Sequence, residues 1–355
     1  MQPAPVAMRV LVLTADYPPG VWSGIGNAVE RQAVALAALG AEVDVLVARG
    51  DIRPAVDGNP RVHRLDTNRF PVDAKRFDWI HLHSLALSEL AWQLHRRFRV
   101  PVAYTAHSIP ALELPDGPCA RFWHQAQSCV LTFSKRAVFL SAHDMRAASS
   151  LIPPWARASV IPDGVAPPVA ELPAYEPDGP IVFAGRLARS KGIELLAEII
   201  ALTLERRPAT FLLAGGHSDD AGRTALGKIL ARHPQACRYL GWLGPDQLDA
   251  LYARAALVLV PSLYEPFGLV ALEAMRMGAP VLAADTGGLS ETVRPGSGGV
   301  LIASRDPREW ARRIDELLSN VALRRSLSSG GPAYVARHFP IQETAARLLR
   351  EVYAN

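Results

Sequence analysis

Two carboxylates stand at the ends of Glu265-Pro-Phe-Gly-Leu-Val-Ala-Leu-Glu273. A carboxylate accepts two hydrogen bonds at once, which suits it to the hydroxyls of a sugar or a ribose. The apolar run Leu257–Val260 reads as a strand ending at Pro261-Ser262, and a helix is expected over Leu269–Met277. Gly268 then falls at the helix start, where the backbone can approach a ligand closely. Amide groups around Phe267–Leu269 face forward there as an anion site suited to phosphate. Taken alone, the two glutamates fit equally well as acidic residues that favour a helix dipole.

A second constellation is Gly185-Arg186-Leu-Ala-Arg-Ser-Lys191-Gly192, directly after the apolar strand Ile181–Phe183. Two fixed cations stabilise the charge that develops on a diphosphate leaving group, and they do so without a metal. The chain is arginine-rich, and Lys191 is one of only four lysines. A compact ammonium is a usual phosphate binder. Arg189, between the two cations, is expected in solvent.

Weaker signals lie elsewhere. The loop Tyr17–Gly26 carries Gly24-Ile-Gly26, but a dinucleotide fingerprint needs a third glycine where Val29 stands, so an NAD site is not expected. His107 follows the strand Val102–Thr105, and a lone histidine there is as readily structural as functional. His81 and His83 alternate on a strand and so share a face. They lack a third partner at metal-ligand spacing, and no metal is expected.

Together these motifs resemble the retaining glycosyltransferases of family 4 (glycosyltransferase group 1), which have the GT-B fold. Glu265 to Glu273 is similar to the Glu-x7-Glu motif of that family, and the likeness continues through Glu273-Ala-Met-Arg-Met-Gly-Ala-Pro-Val-Leu-Ala-Ala-Asp-Thr-Gly-Gly-Leu-Ser-Glu291. Gly185 to Gly192 is similar to its Gly-Arg-x4-Lys-Gly element. The resemblance covers most of the chain and is strongest over Ile181–Glu291. It implies that Glu273 holds the donor ribose, that Glu265 lies beside the transferred sugar, and that Arg186 and Lys191 assist departure of the diphosphate. It assigns His107 to the sugar C6 hydroxyl and the reacting centre. Donor contacts are implied for the backbone of Phe267, Gly268 and Leu269, for Gly185 and Gly216, and, at the base, for Leu243. The loop with Gly24 and Gly26 resembles the family's Gly-Gly-x-Gly, with Ser23 in place of the first glycine, and the resemblance implies that Gly24 and Gly26 approach the donor phosphates and the acceptor. Asp163 in Ile161-Pro-Asp-Gly-Val165 stands where the family has asparagine, in what reads as a hinge.

The activity implied is transfer of a hexosyl unit from a nucleotide-diphosphate-sugar, UDP- or GDP-linked, to a hydroxyl of a small-molecule, lipid-linked or saccharide acceptor. An α-glycosidic bond would form with retention, without cofactor or metal. The alternatives are a nucleotide-sugar epimerase of the same fold, which needs no acceptor, and a non-catalytic sugar-nucleotide-binding module.

The elements that must position these residues alternate strand and helix along the whole chain, which implies parallel sheets covered on both faces. The fold class expected is α/β: two Rossmann-like domains facing a central cleft, with the C-terminal helix returning to the N-domain. Residues 1–165 form the acceptor-binding domain, 166–180 a linker with five prolines between Val165 and Pro180, and 181–336 the nucleotide-sugar-binding domain. Residues 337–355 pack back on the first domain. The segment Ala111–Ser128, with Pro118 and Trp123, is expected to shape the acceptor wall as a loop. A net charge of +4 without a charged face argues against nucleic acid as a partner. Arg96, Arg97 and Arg99 follow from the dipole at the end of helix Ser88–Phe98, so peripheral membrane contact is not favoured. No apolar run is long enough to span a bilayer and no leader is recognised, so the expected location is cytoplasmic. Cys119, Cys129 and Cys237 are expected as buried thiols.

Overall fold

The structure is a computed structural model that describes residues 8–20, 24–50, 58–65, 73–114, 118–168, 171–216 and 219–354. Ser23, which departs from the glycine-rich motif, lies outside the described residues. Contacts divide the chain into two units: one runs to Ala166 and takes in the chain again from Ile341, and the other is Pro167–Pro340.

The first unit is built on a parallel sheet of seven strands: β1 (Arg9–Thr14), β2 (Glu42–Val47), β3 (Arg61–Arg64), β4 (Trp79–Leu82), β5 (Val102–Ala106), β6 (Arg136–Phe139) and β7 (Arg157–Val160). Their order is β3-β2-β1-β4-β5-β6-β7. The central strands are apolar runs because helices cover both faces of a parallel sheet; β1 and β4 have almost no exposed side chain. Register sets Val12 of β1 level with His81 of β4, and His81 level with Ala103 of β5. The C-terminal segment belongs to this unit. Helix Ile341–Arg347 and the wider-pitched turn Leu348–Tyr353 join its core through Ile341, Ala345, Leu348 and Val352. Trp79 Nε1 donates to the Tyr353 carbonyl at 2.9 Å, and Arg347 donates to the Val160 carbonyl at 2.8 Å.

The second unit holds a parallel sheet of six strands: β8 (Ile181–Ala184), β9 (Phe211–Ala214), β10 (Cys237–Gly241), β11 (Leu257–Val260), β12 (Val281–Ala284) and β13 (Gly299–Ile302), ordered β10-β9-β8-β11-β12-β13. Its core joins these strands to helix Ile193–Arg206 and to Trp310, Ile314 and Leu317 of helix Pro307–Ser319. The fully buried Arg324 guanidinium ties the proline-rich stretch to this unit, donating to the carbonyls of Leu317, Leu318 and Pro177 and to the Tyr175 hydroxyl.

Several elements differ from expectation. Pro118–Phe133 is a helix rather than a loop, because proline at the first helical position is pre-set for the turn. Cys119 and Cys129 lie on its exposed face, which overturns the expectation of buried thiols there; Cys237 in β10 is buried. Gly24 and Gly26 fall in the first turn of helix Gly24–Ala38 rather than in the loop before it. Helix Val321–His338 contains Pro332 and a Gly330-Gly331 pair that hide it in the sequence. A side chain at Gly331 would come within 2.6 Å of the Met275 carbonyl oxygen, so the glycine is there to let two helices approach.

Candidate active site

In an open parallel sheet, ligands bind beyond the strand C-termini where the strand order reverses. In the second unit that point lies between β8 and β11: β9 follows β8 on one side, and β12 follows β11 on the other. The two loops leaving β8 and β11 carry the charged motifs.

The β8 loop runs from Gly185 through a short turn at Arg189–Lys191 into helix Ile193–Arg206. Its backbone is tied to neighbouring loops, with Leu187 N–H donating to the Gly216 carbonyl at 2.8 Å and Gly185 N–H to the Ala214 carbonyl at 3.0 Å. Gly192 has φ 74, and a side chain there would overlap the Pro261 carbonyl oxygen, so only glycine lets this loop lie against the β11 loop. The β11 loop answers in kind: the N–H groups of Leu263 and Tyr264 donate to the Ser190 carbonyl at 2.9 and 3.2 Å. Arg189 is exposed and pairs with Glu194.

This docking brings Lys191 Nζ to 2.9 Å from Glu265 Oε2, with both side chains largely buried. The Ser262 hydroxyl donates to the same oxygen at 3.0 Å. Glu265 is therefore held in one rotamer by two donors, while its backbone carbonyl accepts from Gly288 N–H at 2.8 Å. Gly287 and Gly288 pack so closely on Glu265 and Pro266 that a side chain at either would strike their carbonyl oxygens. The Asp285-Thr-Gly-Gly turn thus buttresses the glutamate loop from the β12 side.

Gly268, in a left-handed conformation, begins helix Leu269–Arg276 and gives it no side-chain cap. The first-turn amides are the polar groups this loop presents, at the positive end of the helix. Phe267 is buried and fixes the loop, its carbonyl accepting from the Thr292 hydroxyl at 3.1 Å. Glu273 lies one turn into the helix, and its charge reaches the fully buried Tyr252. Burial pushes the Tyr252 phenol well up, and the neighbouring Glu273 and Asp249 carboxylates add to it. Gly216 and Leu243 follow β9 and β10 on the same edge, where Trp242 comes within 3.6 Å of a side chain placed at Gly216.

In the first unit the order reverses between β1 and β4. Asp16 follows β1 and packs on Gly26, where a side chain would come within 2.7 Å of its carboxylate. His83 follows β4 and His107 follows β5, and their rings meet, His83 Nδ1 lying 2.9 Å from His107 Nε2. His81, on β4, sits between Tyr353 Oη at 2.5 Å and Thr105 Oγ1 at 2.7 Å. Burial pulls His107 down to about 4 and His81 to about 3, and holds His83 well below the usual imidazole range. All three are neutral at neutral pH. Among the described residues no group of three His, Cys, Asp or Glu side chains is placed to hold a metal ion.

Sequence reasoning missed Ser262, Tyr252 and the meeting of His83 with His107. Ser262 was legible only as a polar residue at a strand end, and His83 as half of an alternating pair.

Comparisons with known proteins fit this geometry. Residues 179–320 match the family model "Glycosyl transferases group 1", and residues 23–164 match "Glycosyl transferase 4-like domain". The chain is 30% identical to the D-inositol 3-phosphate glycosyltransferase of Thermobispora bispora, with 98% of this chain and 94% of that one aligned. It is 31% identical to the enzyme of the same name from Corynebacterium jeikeium, over 77% of this chain and 71% of that one. Sucrose-phosphate synthase from Thermosynechococcus elongatus superimposes with a TM-score of 0.81 at 25% identity, covering 97% and 98% of the two chains. The Anabaena protein HepE, in complex with UDP and glucose, superimposes with a TM-score of 0.78 at 18% identity over 98% and 100%.

Proposed function

Because this chain belongs to the group 1 glycosyltransferases of family 4, and is a glycosyltransferase of GT-B fold acting on nucleotide-sugar donors, we propose that it transfers a hexosyl unit from a UDP-linked donor to a hydroxyl of a small polyol acceptor, with retention and without a metal. The observation that carries this reading is the pairing of Lys191 with Glu265 at the strand-order reversal, beside the uncapped start of helix Leu269–Arg276.

In this reading the second unit takes the donor. Glu273 accepts from the ribose hydroxyls, and the first-turn amides of Phe267, Gly268 and Leu269 meet phosphate and sugar hydroxyls. The diphosphate settles against Lys191 and Arg186. As the bond from the anomeric carbon to the diphosphate oxygen breaks, negative charge grows on the diphosphate, and the two cations stabilise it most in the transition state. The acceptor oxygen bonds to the anomeric carbon on the face the diphosphate leaves, and the hydroxyl proton passes to the departing phosphate. Glu265 orients the sugar and acts electrostatically. The first unit supplies the acceptor site; His107 meets the C6 hydroxyl of the transferred sugar and the reacting centre, and the Gly24–Gly26 turn approaches the donor phosphates and the acceptor. A UDP donor is supported by the neighbour crystallised with UDP and glucose, and a small polyol acceptor by the relatives named as inositol phosphate glycosyltransferases.

The test is a thermal-shift series with UDP-glucose, UDP-N-acetylglucosamine and GDP-mannose, followed by transfer to D-inositol 3-phosphate with the anomeric configuration read by NMR. A donor at about 100 times its Kd should stabilise the protein by about 2.7 kcal/mol. A β-linked product, or turnover abolished by a chelator, would overturn the proposal.

A further inference from the structure

Three histidines, the buried His81 and His83 and the partly buried His107, occur within 27 positions of one another on or just after β4 and after β5, and only His107 has a part in the reading above. The other two have a definite arrangement. His83 Nδ1 and His107 Nε2 are 2.9 Å apart, and the rings are tilted rather than stacked. The His83 backbone N–H donates to the Leu13 carbonyl at 2.9 Å, which continues the β1–β4 ladder and fixes where the ring starts. On its other side His83 lies against the His81 ring, centroids 4.1 Å apart. His81 is pinned at both nitrogens by Tyr353 and Thr105.

Two facing ring nitrogens constrain each other. Two neutral imidazoles make one hydrogen bond only if one nitrogen of the pair carries the proton and the other offers its lone pair. Two protons across 2.9 Å would repel, and none would leave two buried lone pairs face to face. Burial keeps both rings neutral, so one proton lies between the two facing nitrogens. Nε2 of His107 is thereby committed to His83. Its Nδ1 has no hydrogen-bond partner among the described residues, and the His107 side chain is only partly buried.

We propose that His83 is a positioning residue for the transfer reaction, which holds the ring of His107 by its Nε2 so that Nδ1 is the atom presented to a substrate hydroxyl. The proposal rests on the placement of His107 at the substrate in the reading above. His81, Thr105 and Tyr353 form the rigid backing of the pair, and Tyr353 makes the C-terminal turn part of that backing.

The experiment compares four variants by steady-state kinetics with thermal melts alongside: His107→Ala, His83→Leu, His83→Asn and the double variant His83→Leu/His107→Ala. Loss of orientation at a reacting group lowers turnover by about tenfold or more, so His83→Leu should lower kcat by that amount with donor KM changed by less than about threefold. Asparagine carries its amide nitrogen near the position of Nδ1, so His83→Asn should restore most of the loss. Residues acting as one unit are not additive, and the double variant should be no worse than His107→Ala alone. Unchanged kcat in His83→Leu beside an impaired His107→Ala overturns the proposal while leaving the reading of His107 intact, as does strict additivity. Unchanged kcat in His107→Ala instead removes the reading on which the proposal stands. Should the His83 variants fail to fold, nitrogen-15 spectra of the wild-type histidines decide: acceptor binding should move the Nδ1 resonance of His107 and leave the Nε2 resonance in place, and the reverse pattern overturns the proposal.

Discussion

Lys191 and Glu265, 74 positions apart in the chain, are joined at 2.9 Å across the point where the second sheet reverses its strand order. Two loops with no local relationship are thus locked into one polar surface. The pair is partly buried and is backed by Ser262, so the carboxylate retains a donor even without the lysine.

Lys191→Ala is expected to lower kcat for transfer by about 100-fold or more, since in the proposed mechanism it removes a cation that meets the leaving diphosphate. The loss in stability should be about 1.5–3 kcal/mol, the usual worth of a hydrogen bond to a charged group, with Ser262 still donating to Glu265. Kinetics and thermal melts on one preparation check both halves. Near-normal turnover would count against the assignment of the site.

Gly288→Ala tests the buttress. A side chain at that position would meet the Pro266 carbonyl and come within 2.6 Å of the Phe267 Cα, so the glutamate loop must shift. A displacement of about 1 Å in a positioning loop can cost on the order of 100-fold in rate. Turnover should fall at least tenfold, and a crystal structure of the variant should show Glu265 moved from Lys191. Full activity with an unmoved loop would refute the buttress.

Arg324→Met addresses stability without chemistry. The guanidinium is 2% exposed and makes its bonds far from both charged loops, to Leu317, Leu318, Tyr175 and Pro177. Loss of its donors leaves the Leu318 and Pro177 carbonyls without the guanidinium that serves them, at about 2–5 kcal/mol in total. Urea unfolding should show that loss while kcat of the folded enzyme is unchanged. A midpoint equal to that of the wild type would show that the linker is held by something else.

Asp163 provides a pH prediction. Burial raises its carboxyl to about 6, against the opposing pull of Arg31 and of the Gln32 hydrogen bond. Between an unfolded value near 3.9 and that folded value the native state binds more protons, so this group makes stability fall as pH rises through the window. Above pH 6 the cost is constant at about 3 kcal/mol, by the relation of one unit to about 1.4 kcal/mol. Asp163→Asn should therefore stabilise the protein at pH 8 by up to that amount, and by little at pH 4. The histidines act in the opposite sense. His107 and His81 are lowered to about 4 and about 3, so the unfolded chain takes up their protons first and stability falls as pH drops below 6.5. With Asp163 removed, this acid limb should steepen in urea melts taken from pH 4 to 8. An increment equal at both ends of the range would sink the assignment.

Much of the fold could be read from short-range signals. The buried strands β1, β4 and β11 are unbroken apolar runs ended by polar or turn residues, and helix Ile193–Arg206 follows a glycine stop. Elements without that pattern escaped: β3 is the polar edge segment Arg-Val-His-Arg, β10 alternates at the other sheet edge, and helix Val321–His338 hides behind Pro332 and two glycines. The charged motifs were legible because each is compact in sequence. The segment Ala111–Ser128 was misjudged because its prolines and glycine suggest a loop, whereas Pro118 opens a helix.

By itself, the sequence determined the chemistry on each loop: two cations after β8, two carboxylates around a glycine-started helix after β11, and a histidine after β5. Such signals depend on neighbours within a turn or two of the chain. Only the tertiary structure decided which of these groups meet. Strand order and register set Lys191 against Glu265 and His83 against His107, and carried Tyr353 back to β4, because burial of both sheet faces satisfies long-range pairings that no local spacing records.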